Sequence, residues 1–281
     1  MMDESVEKAI QAAADAVRTA EALLIGAGAG IGVDSGLPDF RGNAGFWAAY
    51  PPFKKLGLSF IKLANPYWFR SDPELAWGFY GHRRNLYRAT EPHAGFAILL
   101  AWARQMPAGA FVFTSNVDGH FQKAGFSDEQ VVECHGSLEH LQCVGVCNSQ
   151  IWPAAAPAIE INDQSLRALQ PLPNCPSCGR LARPNVLMFA DAEWLPARTN
   201  GQIALYERWR RSVQNRRLVV IEIGAGMAVP TVRIECEAAG HKLIRINPRQ
   251  YEVTDGGISL PLGALEGLRA IDACLSRASG E

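Results

Sequence analysis

Short apolar runs of strand type recur along the chain at Ala22 to Ile25, Ala110 to Thr114, Gln130 to Glu133, Leu218 to Ile223 and Lys242 to Ile246. Between most of them the apolar residues return every three or four positions, the spacing of a helix with one buried face, beginning with Val6 to Ala20. Strands that alternate with helices predict βαβ units and a mainly parallel sheet covered on both sides. A ligand then sits beyond the carboxyl ends of the strands. Gly26-Ala27-Gly28, Ser115-Asn116, His135-Gly136, Gly224-Ala225-Gly226 and Asn247 all fall on that edge. Any one of them alone reads best as a tight turn; all together they point to a site.

The fold class expected is therefore α/β, a Rossmann-like parallel sheet with helices on both faces. Two regions break the alternation and predict a smaller, discontinuous domain that is part helical and part zinc-binding. Residues 42–89 are rich in aromatic side chains and contain Ser71-Asp72-Pro73-Glu74, which reads as a capping box opening a helix. Residues 138–183 hold a cysteine cluster and the loop-like Trp152-Pro153-Ala154-Ala155-Ala156-Pro157. The larger domain takes residues 1–41, 90–137 and 184–281.

With 281 residues, 48% of them hydrophobic and 20% charged, the chain can bury a full core. A formal charge of -1 gives no electrostatic footprint for nucleic acid. The acidic start, Met1-Met2-Asp3-Glu4-Ser5, lacks the basic and apolar pattern of a secretory signal, and no apolar stretch is long enough to cross a bilayer. A cytoplasmic protein without membrane partners is expected.

Four of the seven cysteines are grouped as Cys143, Cys147, Cys175 and Cys178. In a reducing compartment this grouping points to metal rather than disulfides. Cys175-Pro176-Ser177-Cys178-Gly179 has the form of a zinc knuckle, whereas three residues between Cys143 and Cys147 is a less regular spacing. Four thiolates leave zinc no open position, so the ion is expected to be structural. Cys134, Cys236 and Cys274 read as small buried hydrophobes.

The segment from Gly28 to Arg41 reads Gly-Ala-Gly-Ile-Gly-Val-Asp-Ser-Gly-Leu-Pro-Asp-Phe-Arg. Its glycines let backbone approach a pyrophosphate, yet the third glycine of the usual dinucleotide fingerprint is missing. About eighty residues on, Asn116 and Asp118 follow a second strand, where they can bond ribose or an amide. His135 ends a third strand on the same edge and titrates in the range a general base needs. His82, His93, His120, His140 and His241 lack that convergence and read as surface or supporting residues.

These segments, with Phe46-Trp47, Thr114-Ser115-Asn116-Val117-Asp118, the paired cysteines, Arg183-Pro184-Asn185-Val186, Phe189-Ala190-Asp191 and Ile246-Asn247, resemble the sirtuins, the Sir2 family of NAD-dependent protein lysine deacylases, from about Glu21 to Leu268. The resemblance implies NAD as co-substrate, structural zinc, acyl-lysine proteins or peptides as partners, and His135 as general base. It implies that Asn116 and Asp118 contact ribose and the nicotinamide amide, with Asn116 counted among the catalytic residues. Phe40 and Arg41 would flank the nicotinamide ribose, and Asn247 would hold the adenosine ribose. Gly28, Ala29, Gly30, Asp39, Ser115, Gly224, Ala225, Gly226 and Ala264 complete the cofactor set. Val186, Leu187 and Phe189 would lie along the substrate peptide, paired as an added strand.

Tyr80 and Arg83 are similar to the Tyr-x-x-Arg pair with which one sirtuin class binds succinyl, malonyl or glutaryl lysine. Three residues apart on a helix, a phenol and a guanidinium converge on one carboxylate. Acetyl-lysine remains open as a substrate. The chain also departs from the family pattern: Gly32 stands for Ser, Ser115 for Gln, Gly224-Ala225-Gly226 for Gly-Thr-Ser, and Ala190-Asp191 for Gly-Glu. These losses of contact groups keep two other readings open, an NAD-consuming ADP-ribosyltransferase or glycohydrolase, and a non-enzymatic NAD sensor.

Overall fold

The computed structural model describes residues 3–38, 51, 54, 57–154, 157–162, 164–240, 242–254 and 256–278. The expectations placed on Asp39, Phe40, Arg41, Phe46, Trp47 and His241 lie outside the described residues.

The strands are β1 (Ala22–Ala27), β2 (Ala110–Thr114), β3 (Val131–Glu133), β9 (Leu218–Ile223), β10 (Lys242–Ile246) and β11 (Ile258–Leu260). They form one parallel sheet in the order β11-β10-β9-β1-β2-β3. All six residues of β1 are buried, which explains its unbroken apolar run; covered strands do not alternate with polar residues. The chain builds outward from β1 to β3, then returns to the other side of β1 with β9. This reversal opens a crevice at the carboxyl edge. Ala27 pairs with Thr114 on one side and Ile223 on the other, so three loops leave the sheet level with one another.

Helices α1 (Glu4–Thr19), α3 (Ala94–Gln105), α4 (Ala197–Ser212), α5 (Thr231–Ala238) and α6 (Ala264–Ala278) cover both faces, while α2 (Pro73–Ala89) belongs to a second core. One face packs Leu23, Ile25 and Val219 against Val17, Leu99, Trp102 and Ile271 from α1, α3 and α6. The other packs Leu24, Phe111 and Val220 against Tyr206 of α4 and Val232 of α5. Removing the side chain of a residue such as Leu23 costs about 2–5 kcal/mol, because the cavity left behind relaxes only in part. Two expectations shift. Helix α1 begins two residues earlier than its apolar period indicates, since the Asp3 carboxylate accepts the Ser5 amide and caps it. Strand β11, only three residues long, is absent from the runs read in the sequence.

The second core draws on both inserted segments. Leu63, Phe69, Trp77, Phe79 and Tyr80 pack with Leu138, Leu141, Ile159 and Ala182. Beside them lies an antiparallel sheet, β5-β4-β8, of Ile151–Pro153, Gly136–Cys143 and Ala182–Val186. A hairpin of β6 (Ile161–Asn162) and β7 (Arg167–Ala168) packs against α2. The expected capping box at α2 is not formed. Asp72 is the cap and accepts the Leu75 amide at 3.3 Å, while the Ser71 hydroxyl donates to the Tyr67 carbonyl and Glu74 pairs with Arg167. Asp is as good a cap as Ser, and Pro73 at the first helical position fixes the register one residue later. No helix among the described residues is long and apolar enough to cross a membrane.

Candidate active site

Two loops meet above β1 at backbone distance. Gly30 donates to the Gly224 carbonyl at 3.0 Å, Gly28 to Ile223 at 3.0 Å, and Gly224 to Ile246 at 3.1 Å. Gly224 has φ +61°, and a Cβ there would stand 2.5 Å from the Gly30 backbone. Only glycine lets these loops touch, which is a reason in the fold itself for the glycine-rich sequence. Together they wall a cavity of about 510 Å³ that Gly28, Ala29, Ser115, Asn116, Asp118, His135 and Gly224 to Gly226 all line.

Thr114 ties the next loop in place: its hydroxyl donates to Ala27 and accepts the Asn116 amide. The Asn116 side chain donates to the Gly28 carbonyl at 3.2 Å, and an Asp118 oxygen accepts the His120 amide at 2.9 Å. Both groups are thus oriented by backbone before any ligand arrives. His120, read as a supporting or surface residue, is fully buried and its Nε2 faces the Tyr87 carbonyl at 3.3 Å. His93 caps α3 and meets the Ile31 carbonyl at 2.8 Å, bracing the glycine loop from below. His140 is half-buried, and burial pushes its imidazole down to about 4.

His135 stands where the parallel sheet gives way to the antiparallel one. Its imidazole bonds the Ser115 carbonyl, and Nε2 lies 3.5 Å from the Thr231 hydroxyl. A carbonyl only accepts, so the ring proton sits on the nitrogen facing Ser115 and the other nitrogen is left basic. Burial holds the imidazole below its ordinary range, with the Ser115 bond opposing the shift. The next residue, Gly136, has φ +78°, and a Cβ there would overlap the Asn185 carbonyl at 2.0 Å. That close crossing brings the Leu187 amide onto the His135 carbonyl at 2.9 Å.

The opposite wall is Val186 to Phe189. The amides of Leu187, Met188 and Phe189 are each engaged within the fold, by His135, Asp191 and Ala64. Leu187 and Phe189 are partly exposed at the cavity. Behind them Arg183 and Asp191 form a buried ion pair. From α2, Tyr80 and Arg83 enter the same cavity, and so does Tyr87, which the sequence reading missed. Tyr80 stacks on Phe69, and burial pushes its phenol well above the ordinary range. The spacing of Tyr87, four residues after Arg83, was the available signal. Thr231, Met227 and Gln250 were also missed; Met227 and Gln250 line the cavity from loops whose length carries no period to read.

A second cavity of about 110 Å³ continues past the glycine loop, lined by Gly30, Asp34, Gly224, Arg249 and Ala264. Asn247 lies beneath it, fully buried. Its amide donates to the Ala225 carbonyl at 3.0 Å and its oxygen accepts the Arg249 and Gln250 amides at 3.1 Å. Its polar groups therefore shape the two loops from below. Gln250 and Ala225 also bond Arg233, which pairs with Glu222 at the end of β9.

Cys143, Cys147, Cys175 and Cys178 bring their sulfur atoms within 4.8 Å of one another. Zinc–sulfur bonds of about 2.3 Å in a tetrahedron set neighbouring sulfurs about 3.8 Å apart. Sγ separations of 3.7 Å for Cys143 and Cys178 and 3.6 Å for Cys147 and Cys175 fit that figure. The irregular spacing before Cys147 is absorbed by a left-handed turn at Val146, φ +43°. Arg180 lies 3.5 Å from the Cys178 sulfur and helps pull that thiol down to about 6, favouring the thiolate a metal binds.

A parallel sheet with its crevice at the strand reversal, and a histidine facing two glycine loops there, defines a dinucleotide-binding protein with a four-cysteine module. Residues 28–221 match the Sir2 family, and the chain belongs to that family. It is 30% identical over 229 residues to an NAD-dependent protein deacylase of Aquifex aeolicus, covering 81% of this chain and 83% of the relative. With an NAD-dependent protein deacylase of Deinococcus radiodurans it shares 31% over 260 residues, 91% of this chain and 95% of the relative. A solved Sir2 homologue in complex with NAD is 27% identical, with a TM-score of 0.67 over 99% of this chain and 95% of that one. A mutant Sir2 homologue in complex with ADP-ribose gives 28% and 0.69 over 99% and 98%.

Proposed function

We propose that this protein removes acyl groups from lysine side chains of proteins in a reaction that consumes NAD and releases nicotinamide and O-acyl-ADP-ribose. The observation that carries the reading is the convergence of His135, Asn116, Asp118, Tyr80 and Arg83 on one cavity. NAD supplies the electrophile, since the bond from its ribose to nicotinamide is the one exchanged for a bond to the acyl oxygen. The glycine loops at Gly28 to Gly30 and Gly224 to Gly226 leave room for the pyrophosphate, with Ala264 and the second cavity on the adenosine side. Asn116 and Asp118 orient the nicotinamide-side ribose and amide. Asp39, Phe40 and Arg41 belong to the same cofactor set. His135, neutral at physiological pH, takes a proton from a ribose hydroxyl so that its oxygen can attack the acyl carbon, and one water molecule completes the release of free lysine.

Val186 to Phe189 forms the floor under the substrate peptide. With its amides engaged inside the fold, pairing with an incoming strand falls to its carbonyl oxygens. Residues 42–89 and 138–183 act as the small domain, which zinc holds together through its four thiolates. A reduced thiol set and a weakly acidic chain fit a cytoplasmic protein acting on protein substrates rather than nucleic acid.

For the acyl group, the reading is a chain ending in a carboxylate, such as succinyl, malonyl or glutaryl. Tyr80 and Arg83 stand three residues apart on α2 and both line the cavity. A phenol and a guanidinium on one helix face can hold a carboxylate together. Acetyl-, malonyl-, succinyl- and glutaryl-lysine peptides assayed with NAD test the reading. Faster turnover of the carboxylated peptides, with matching O-acyl-ADP-ribose, is expected. The departures at Ser115 and at Gly224 to Gly226 favour a competing reading, NAD cleavage without acyl transfer. Nicotinamide release from NAD alone, as fast as with peptide, would establish that reading instead.

A further inference from the structure

The His135 ring is flanked on two sides. The Ser115 carbonyl holds one nitrogen, and the Thr231 hydroxyl stands 3.5 Å from the other, Nε2. Both flanks are seated on β1. The Ser115 amide donates to the Ala27 carbonyl at 3.2 Å. Helix α5, which Thr231 opens, lies so close to the strand that a Cβ on Gly26 would meet the Cys236 sulfur at 2.1 Å and Val232 at 3.1 Å. The missing side chain at Gly26 lets the helix press down and brings the Thr231 hydroxyl to the carboxyl edge of the sheet. The cap position of α5 falls on Pro230, and no side chain caps the helix, so that hydroxyl is not spent there.

We infer that Thr231 is a positioning residue for acyl transfer, whose hydroxyl keeps the His135 ring aimed at the ribose both before and after the ring takes up a proton. The inference rests on the deacylase reading proposed above. A hydroxyl both donates and accepts. With the ring proton on the Ser115 side, it donates to bare Nε2 in the free enzyme; turned about its C–O bond, it accepts from the same nitrogen once that is protonated. At 3.5 Å the bond is weak, and it yields Nε2 to the ribose hydroxyl. A carboxylate at this place would hold the ring equally well but would favour the imidazolium and so cost the site its free base.

The test compares the wild type with Thr231→Val, Thr231→Ser and His135→Ala, each given acyl-lysine peptide and NAD. Nicotinamide leaves as the acyl oxygen takes its bond to the ribose carbon, before the ring acts, so exchange of labelled nicotinamide into NAD reads the site without the base. Formation of O-acyl-ADP-ribose reads the base. Thr231→Val keeps the shape and removes the hydroxyl. It is expected to exchange nicotinamide like the wild type while forming product about tenfold more slowly, in kcat rather than KM. Thr231→Ser is expected to restore most of that rate. In the free protein, NMR relaxation of the His135 ring, identified by its loss in His135→Ala, is expected to show a looser ring in Thr231→Val and not in Thr231→Ser. Equal loss of exchange and product in Thr231→Val, no rescue by serine, or a ring as rigid as the wild type's overturns the role of Thr231. Product lost in His135→Ala but formed at the wild-type rate in Thr231→Val removes Thr231 alone and leaves the deacylase reading standing. A wild type that releases nicotinamide without forming O-acyl-ADP-ribose ends that reading and this inference with it.

Discussion

Arg183 and Asp191 face each other through two bonds of 2.7 and 2.8 Å, with side chains 1% and 0% exposed, directly behind the wall formed by Val186 to Phe189. Asp191 also accepts the amides of Met188 and Glu193 at 3.3 Å. One carboxylate therefore fastens the cavity wall to β8. Replacing it with alanine leaves Arg183 charged and buried, a change that costs about 3–5 kcal/mol. Asp191→Ala is expected to lower the denaturant midpoint accordingly and to raise KM for peptide, while Asp191→Asn loses less of both.

The residue before it, Ala190, adopts φ +54°, where the family pattern has glycine. Holding a Cβ in that region costs about 1–2 kcal/mol, offset in part by the greater freedom glycine has in the unfolded chain. Ala190→Gly is expected to stabilise the protein by roughly 0.5–1 kcal/mol in urea unfolding. A destabilised variant would show that this backbone is relaxed.

His135 is held below its ordinary value, so it remains an unprotonated base at pH values where a free imidazole is charged. The acid limb of kcat/KM is expected below pH 6.5, and His135→Ala is expected to abolish acyl removal while NAD binding persists. An acid limb at or above that value would contradict the assignment of the limb to His135.

Stability follows the same sign. Below about pH 6.5 the unfolded chain takes up protons on its histidines that folded His135 and His140 refuse. Their contribution is constant above that value and declines as pH falls, for His140 down to its folded value of about 4. Unfolding measured across this range is expected to show a shallower decline in His140→Gln. An unchanged slope counts against burial of that ring.

Zinc removal is expected to loosen the cysteine module before the parallel sheet. Bound there, the ion would join two turns at which Cys147 and Cys178 are exposed, whereas the sheet is packed on both faces. Cys175→Ser should lower bound zinc, read by elemental analysis, and lower the melting midpoint of the module. A variant with full zinc content would remove Cys175 from the ligand set.

The sheet was legible because strands buried on both faces carry unbroken apolar runs, and β1 and β9 are buried throughout. Strand β11 has three residues and was invisible at that length. The loops were legible through their glycines, since contact between Gly28 and Gly224 excludes any other residue. Three things were not. The cap at α2 passed from Ser71 to Asp72 because neighbouring residues offered equivalent oxygens. Asn247 could be placed at the edge but not seen to spend its amide on Ala225, Arg249 and Gln250. Tyr87 carried the right spacing, but a tyrosine on a helix face is usually packing, and its place in the cavity wall shows only once the chain is folded.

Strand β3 ends at Glu133 and β4 begins at Gly136, so two residues, one of them the imidazole-bearing one, join the sheets that form the two sides of the cleft. A link that short leaves little slack, and its backbone is bonded to both sheets, the Cys134 amide to Thr114 of β2 and the His135 carbonyl to the Leu187 amide just past β8.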